Sequence, residues 1–378
     1  MQIKDKIVSW YIQNVLMPRT EVIDNPGFVI ARVSGKGSET YLRELFLPER
    51  IFVELENTIC NKFAKKGEQL LYSVGKKFGY EYSSLSDFST IENTKKKDLV
   101  TFGKYLLMYV GGTYASNIKS KVDIEGKILE LKMKNYIICS KNGHGHIMSE
   151  GGIAGIWDYI IHDKRVEGVQ LECQGRGDRE CKVLCAPTDV LNKRGVRYYT
   201  ENQLSDTKLT QEYLTINKVS KTSYAQQSLK DLIGSGFFKY SKGIVQRTDE
   251  RHFLCESSMV YILEEEVRKV KGGHKIVFDI AFDFGKSLAE KENLDGDLSY
   301  ITDYMSALGW GDVLVLKKGK RCEVLVKYFP WTEYLEKSKF VLFRGILSGL
   351  VSGALGREIR FSNTEITLTD DGLNVFMS

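Results

Sequence analysis

Residues 169–185 read Val169-Gln170-Leu171-Glu172-Cys173-Gln174-Gly175-Arg176-Gly177-Asp178-Arg179-Glu180-Cys181-Lys182-Val183-Leu184-Cys185. Two short strand-forming runs flank a polar turn, Gly175 to Asp178, which is the pattern of a β-hairpin. If 181–185 is a strand, the thiols of Cys181 and Cys185 point to the same side of a sheet. The hairpin then brings Cys173 near that side as well. Three of the chain's seven cysteines within this stretch make a candidate soft-metal site, with zinc the leading ion. The glycine turn leads into a strand rather than a helix, so it lacks the free N–H groups of a phosphate cradle.

The surroundings bound what such a site serves. The chain has 378 residues, 42% of them apolar, enough for sizeable cores and more than one average domain. A net charge of +5 is too small and dispersed to mark a nucleic-acid protein. No stretch has the eighteen uninterrupted apolar residues of a membrane span, and residues 1–26 lack the apolar core of a secretory signal. Free or metal-bound thiols in a reducing cytoplasm are the expectation. No dinucleotide fingerprint, Walker sequence or nucleophile elbow occurs.

Reading outward, the order of elements repeats. Strand-like runs begin at Gly27 and Gly236, and helical spacing follows over 48–63 and 257–270. Further helices are expected over 69–78 and 276–288, and over 99–115 and 298–308. Hairpins come next: 128–133 with 136–139, and 313–317 with 322–326. Small-residue helices over 151–161 and 343–355 follow, with Gly151 and Gly155 matching Gly345 and Gly349 in spacing. Terminal strands over 166–185 and 357–377 close each half. The fold class expected is α+β, two tandem copies of a helical layer packed on an antiparallel sheet. The first would span 1–190 and the second, diverged copy 226–378, with 191–225 as linker and opening helix. The second copy lacks the cysteines and would act as a structural pseudo-partner.

Gly151-Gly152-Ile153-Ala154-Gly155-Ile156-Trp157, then Val166-Glu167-Gly168, then Cys173 with seven residues before Cys181, resembles the end of a 4-vinyl-reductase domain, over about residues 140–185. That family occurs in archaeal proteins, in photosynthetic pigment biosynthesis and in the aromatic-sensing modules of phenol and xylene regulators. Its fold is similar to that of small TRAPP-like subunits of vesicle-tethering complexes. The resemblance implies a zinc ion held by an upstream Cys, a Glu three residues before a second Cys, that Cys, and a third Cys eight later. Cys173 and Cys181 stand at the last two positions, while Gln170, a neutral amide, stands at the Glu. The upstream position falls near Ile147, with Cys139, His144 and His146 as the nearest substitutes. A different set, read from the residues themselves, is Cys173, Cys181 and Cys185 with His144 or His146 as the fourth donor.

The resemblance also implies an apolar chamber for a small aromatic ligand beside the glycine-rich helix. Phe102, Tyr105, Met108, Tyr109, Trp157 and Tyr159 are its candidate lining here, although aromatic residues at helical spacing equally serve ordinary packing. The function expected is a non-catalytic cytoplasmic sensor or carrier for a hydrophobic small molecule, with structural zinc and a protein partner or self-association as readout. A scaffold acting through protein surfaces and a reductase accessory factor in tetrapyrrole metabolism are the alternatives.

Overall fold

The computed structural model describes residues 22–34, 39–86, 88, 90–92, 114–201, 204, 223–241, 244–331, 338–362, 366–368 and 374–378. In the first half, strands β1 (Val22–Asn25), β2 (Phe28–Ser34) and β3 (Glu39–Pro48) lead into helices α1 (Glu49–Phe63) and α2 (Lys65–Leu85). Pro48, whose fixed φ suits a helix start, precedes α1, which buries Ile51, Phe52, Leu55 and Ile59 on one stripe. Strands β4 (Ser116–Asp123) and β5 (Ile128–Lys134) follow, then a one-turn helix α3 (Cys139–Asn142) and the long helix α4 (Ile147–Ile161). Strands β6 (Val166–Glu172) and β7 (Cys181–Pro187) and helix α5 (Thr188–Lys193) complete this half.

The second half has a related order of elements. A short helix α6 (Leu229–Gly234) precedes β8 (Lys239–Ser241), β9 (Ile244–Arg247) and β10 (Glu250–Glu256). Helices α7 (Ser258–Val267), α8 (Gly273–Lys291) and α9 (Ser299–Ala307) come next, then β11 (Asp312–Lys318) and β12 (Arg321–Lys327). Helix α10 (Val341–Leu355) and strands β13 (Ile366–Leu368) and β14 (Asn374–Met377) end it.

Each half has its own four-stranded antiparallel sheet, β4-β5-β7-β6 and β11-β12-β14-β13, with the same strand order. The registers agree as well: Met133 of β5 faces Cys181, and at the matching position Val326 of β12 faces Asn374. A third sheet, β1-β2-β3-β10-β9-β8, takes three strands from each half and joins them where β3 runs antiparallel to β10. Phe52 and Phe253 meet edge to face across this join, and the Lys77 ammonium lies 2.8 Å from the Glu266 carboxylate. The two halves therefore share a sheet and one continuous core.

Close helix pairs, α2 with α4 and α8 with α10, form the layers over the four-stranded sheets. A Cβ on Gly75 would stand 1.7 Å from the Met148 carbonyl oxygen, and one on Gly349 would stand 2.0 Å from that of Phe282. The glycines are thus where backbones touch. These contacts fit the register expected from spacing. Gly151 sits over the Tyr72 carbonyl and Gly345 over that of Phe278, while Gly155 sits over Lys76 and Tyr80 as Gly349 sits over Phe282 and Lys286.

Two expectations change. The hairpin partner of β5 is β4, not 136–139; in the edge strand Ser116–Asp123 only Ile118 and Val122 mark the inner side, alternating with polar residues. Residues 136–139 turn instead, because Ile138 takes a positive φ of 66°. The helix expected over 69–78 runs longer, from Lys65 to Leu85. Nearly all of the helix expected over 99–115 lies outside the described residues. Among the described residues no helix is long and apolar enough to cross a membrane.

Candidate metal centre

Three segments converge at the end of the first four-stranded sheet. Cys139 opens α3, Cys173 follows β6 and Cys181 begins β7, and their sulfurs all lie within 4.8 Å of one another. All three residues are 0% exposed. No histidine or carboxylate among the described residues joins the three within that distance. Such a set of soft donors fits a thiophilic ion.

Local backbone features bring the thiols together. Ile138, a β-branched residue in the left-handed region, is held there by the Glu49 carboxylate, which accepts its N–H at 2.7 Å and binds Lys141 Nζ at 2.6 Å. That conformation turns the chain so that Cys139 faces the hairpin. On the hairpin side, Arg176 and Asp178 donate backbone N–H groups to the Cys173 carbonyl, and the Asp178 carboxylate accepts the Cys173 N–H at 2.7 Å. A Cβ on Gly175 would stand 1.7 Å from the Cys139 carbonyl oxygen, so glycine is required for the turn to approach. The Gln174 N–H points at the Cys181 sulfur, 3.4 Å away.

The thiols are not equivalent. Hydrogen bonds from Cys139, from Cys181 and from the backbone of Arg176 and Gly175 hold the Cys173 thiol well below its ordinary range. Burial, foremost, pushes Cys139 up. Cys173 is thus the sulfur on which the donors of the cluster converge.

Gln170 borders the cluster. Its amide nitrogen is 3.1 Å from the Cys139 sulfur, while its side-chain oxygen accepts the His146 N–H at 2.9 Å. The amide therefore offers a hydrogen to sulfur rather than an oxygen to an ion. Below it, the Glu56 carboxylate accepts from Asn142, from His146 Nδ1 at 2.9 Å and from the Met148 N–H at 3.1 Å, capping α4. Glu264 does the same for α10, accepting from Ser338 and from the Leu342 N–H. Both glutamates lie on the apolar stripes of their helices, a signal the sequence reading passed over.

The structure places the sequence candidates as follows. Cys173 and Cys181 come together, with Cys139 as the third member. Cys185 shares a face with Cys181, but four strand residues separate their Cα atoms by roughly 13 Å, too far to share one ion. It is buried, and burial raises its thiol pKa. His146 is engaged with Glu56, and His144 is exposed at the mouth of a cleft of about 370 Å³ that Glu68, Glu150, Val169, Gln170, Arg176, Arg197 and Tyr199 help line. The Trp157 indole donates to the Lys127 carbonyl in the core, and Tyr159 packs edge-on to Tyr80. Phe102, Tyr105, Met108 and Tyr109 lie outside the described residues.

No family model matches the chain, and no curated protein does. Among solved structures, the crystal structure of the phenol-responsive sensory domain of the transcription activator PoxR with phenol is similar to it in part. Sequence identity is 15% and the TM-score 0.32, over 39% of this chain and 78% of that one.

Proposed function

We propose that the chain is a non-catalytic binding protein in which a thiophilic ion, zinc on the resemblance to 4-vinyl-reductase domains, ties the β6–β7 hairpin to α3. The observation that carries this reading is the convergence of Cys139, Cys173 and Cys181 from three separate segments. Their complete burial keeps an ion there out of a substrate's reach and makes its role structural. The adjoining cleft is the proposed ligand site. Its mixed lining, with Ile147, Val169 and Tyr199 beside Glu150 and Arg176, suits a small molecule with an apolar body and a polar substituent. The chain is read as two copies of one unit, the second standing in for a partner subunit. The identical strand orders and the shared central sheet support that reading.

The test is native mass spectrometry of protein purified without chelators. One metal ion per chain is expected, and Cys173→Ser should lose it. A metal-free mass, under conditions that preserve the ions of known zinc proteins, would reduce the three cysteines to core residues.

A further inference from the structure

Which ion the cluster takes depends on its fourth side. Zinc in structural sites is four-coordinate, and its usual ligands are thiolate, imidazole and carboxylate. Here the residue poised to supply a fourth donor is Gln170, and its orientation is set by two contacts. The His146 N–H needs an acceptor and takes the amide oxygen, at 2.9 Å. That leaves the amide nitrogen, a donor with no free lone pair, facing the Cys139 sulfur at 3.1 Å. Turning the amide over would set its N–H against the His146 N–H and leave two donors facing each other. Gln170 is 5% exposed, so solvent does not relieve that conflict. No histidine or carboxylate among the described residues completes the group.

We infer that the site is a three-thiolate site for a soft ion of low coordination number, monovalent copper, with Gln170 as a hydrogen-bond donor to sulfur rather than a ligand. This rests on the metal reading of the cluster given above and changes the ion. Three sulfurs satisfy a soft monovalent ion, whereas zinc would have to draw a fourth ligand from water through thiols of zero exposure. The Gln170 N–H offsets part of the negative charge that three thiolates concentrate in a buried site, as hydrogen bonds around a ligand shell do.

The experiment uses the full chain, stripped of metal under reducing conditions and titrated separately with Cu(I) and Zn(II) against competing chelators. X-ray absorption spectra of each loaded form then count the ligands. The expected result is one Cu(I) with three sulfur neighbours and no nitrogen or oxygen. Gln170→Glu, which puts a carboxylate where the amide stands, should raise zinc affinity by about tenfold or more, the scale on which ligand-shell changes act. Copper affinity should fall, because the donor to sulfur becomes a second negative charge beside it. Zinc bound to the unaltered chain with a fourth protein ligand, and indifferent to Gln170→Glu, would overturn the inference while leaving the metal reading intact. Binding of neither ion would overturn both. Should Gln170→Glu fail to fold, the ligand count on the unaltered chain decides.

Discussion

In the first half, the junction between the four-stranded sheet and the following long helix is tied by three thiols, an amide and a carboxylate. In the second half the same junction is filled with rings. Phe329 lies 5.3 Å from Trp331 and 5.0 Å from both Phe340 and Phe343, centroid to centroid, and Phe376 of β14 closes the group. Rings hold by burial and by edge-to-face contact, which depend little on solution conditions. On the metal reading proposed above, thiols around one point hold by what they bind, which would make the first junction conditional and the second not. The difference extends into the helix pairs. Lys76 of α2 is fully buried, 2.8 Å from Glu167, while Lys286 of α8 is half-exposed beside Glu290.

The comparison is broken most severely where the halves are alike. Gly75→Val and Gly349→Val each place side-chain carbon inside a carbonyl of the facing helix, and each should cost about 5 kcal/mol or more. Denaturant unfolding of both variants measures this. A mild effect of either would show that the helix pair has room to separate.

The junctions themselves should then part company. An ion at a thousandfold excess over its Kd should stabilise the unaltered chain by about 4 kcal/mol. Cys173→Ser should abolish that increment, whereas Phe343→Ala should lower the baseline and keep it. Thermal melts with and without the ion report both; an equal increment in Cys173→Ser would end the claim that the first junction is conditional.

Next in size is the lysine pair. Removing Lys76 strands the buried Glu167 carboxylate, which also accepts from the Tyr72 hydroxyl at 2.6 Å, so Lys76→Ala should cost about 3 kcal/mol. Lys286→Ala should stay within about 0.5 kcal/mol. Similar costs for the two would mean that the buried network contributes nothing special.

The remaining effect is a pH dependence that centres on Glu150 of the first half and is modest per pH unit. Burial pushes the Glu150 carboxyl up to about 8, against the opposing pull of Arg176. The folded chain prefers this group protonated. Its stabilisation is therefore complete below the ordinary value of 4.5 and is lost as pH rises through about 8. Between those values stability should fall by up to about 1.4 kcal/mol per pH unit, and Glu150→Gln should remove that slope. Urea midpoints at a series of pH values test it, and an unchanged slope in the variant would assign the titration to another group.

Much of this was legible beforehand. Apolar spacing located α1 and α7, because a helix that buries one stripe must repeat it, and runs of small residues located α4 and α10. Alternation located β5, β11 and β12 for the same reason in a different period. The edge strand β4 escaped, since Ile118 and Val122 are too few apolar residues to make its alternation stand out. The pairing of Cys173 with Cys181 followed from local hairpin geometry, which spans few residues and leaves little freedom.

What only the tertiary structure decided were relations between distant segments. Cys139 joins the cluster, and Cys185 stands apart, because of a positive φ at Ile138, a bare approach at Gly175 and the length of β7. Gln170 turns its nitrogen to sulfur because the His146 N–H, twenty-four residues earlier, claims its oxygen. Residue type and short-range periodicity determined the elements and the hairpin of this protein by themselves. Which thiols meet, which lysine is buried and which glycines face each other depend on packing across the chain, and spacing along it does not encode those distances.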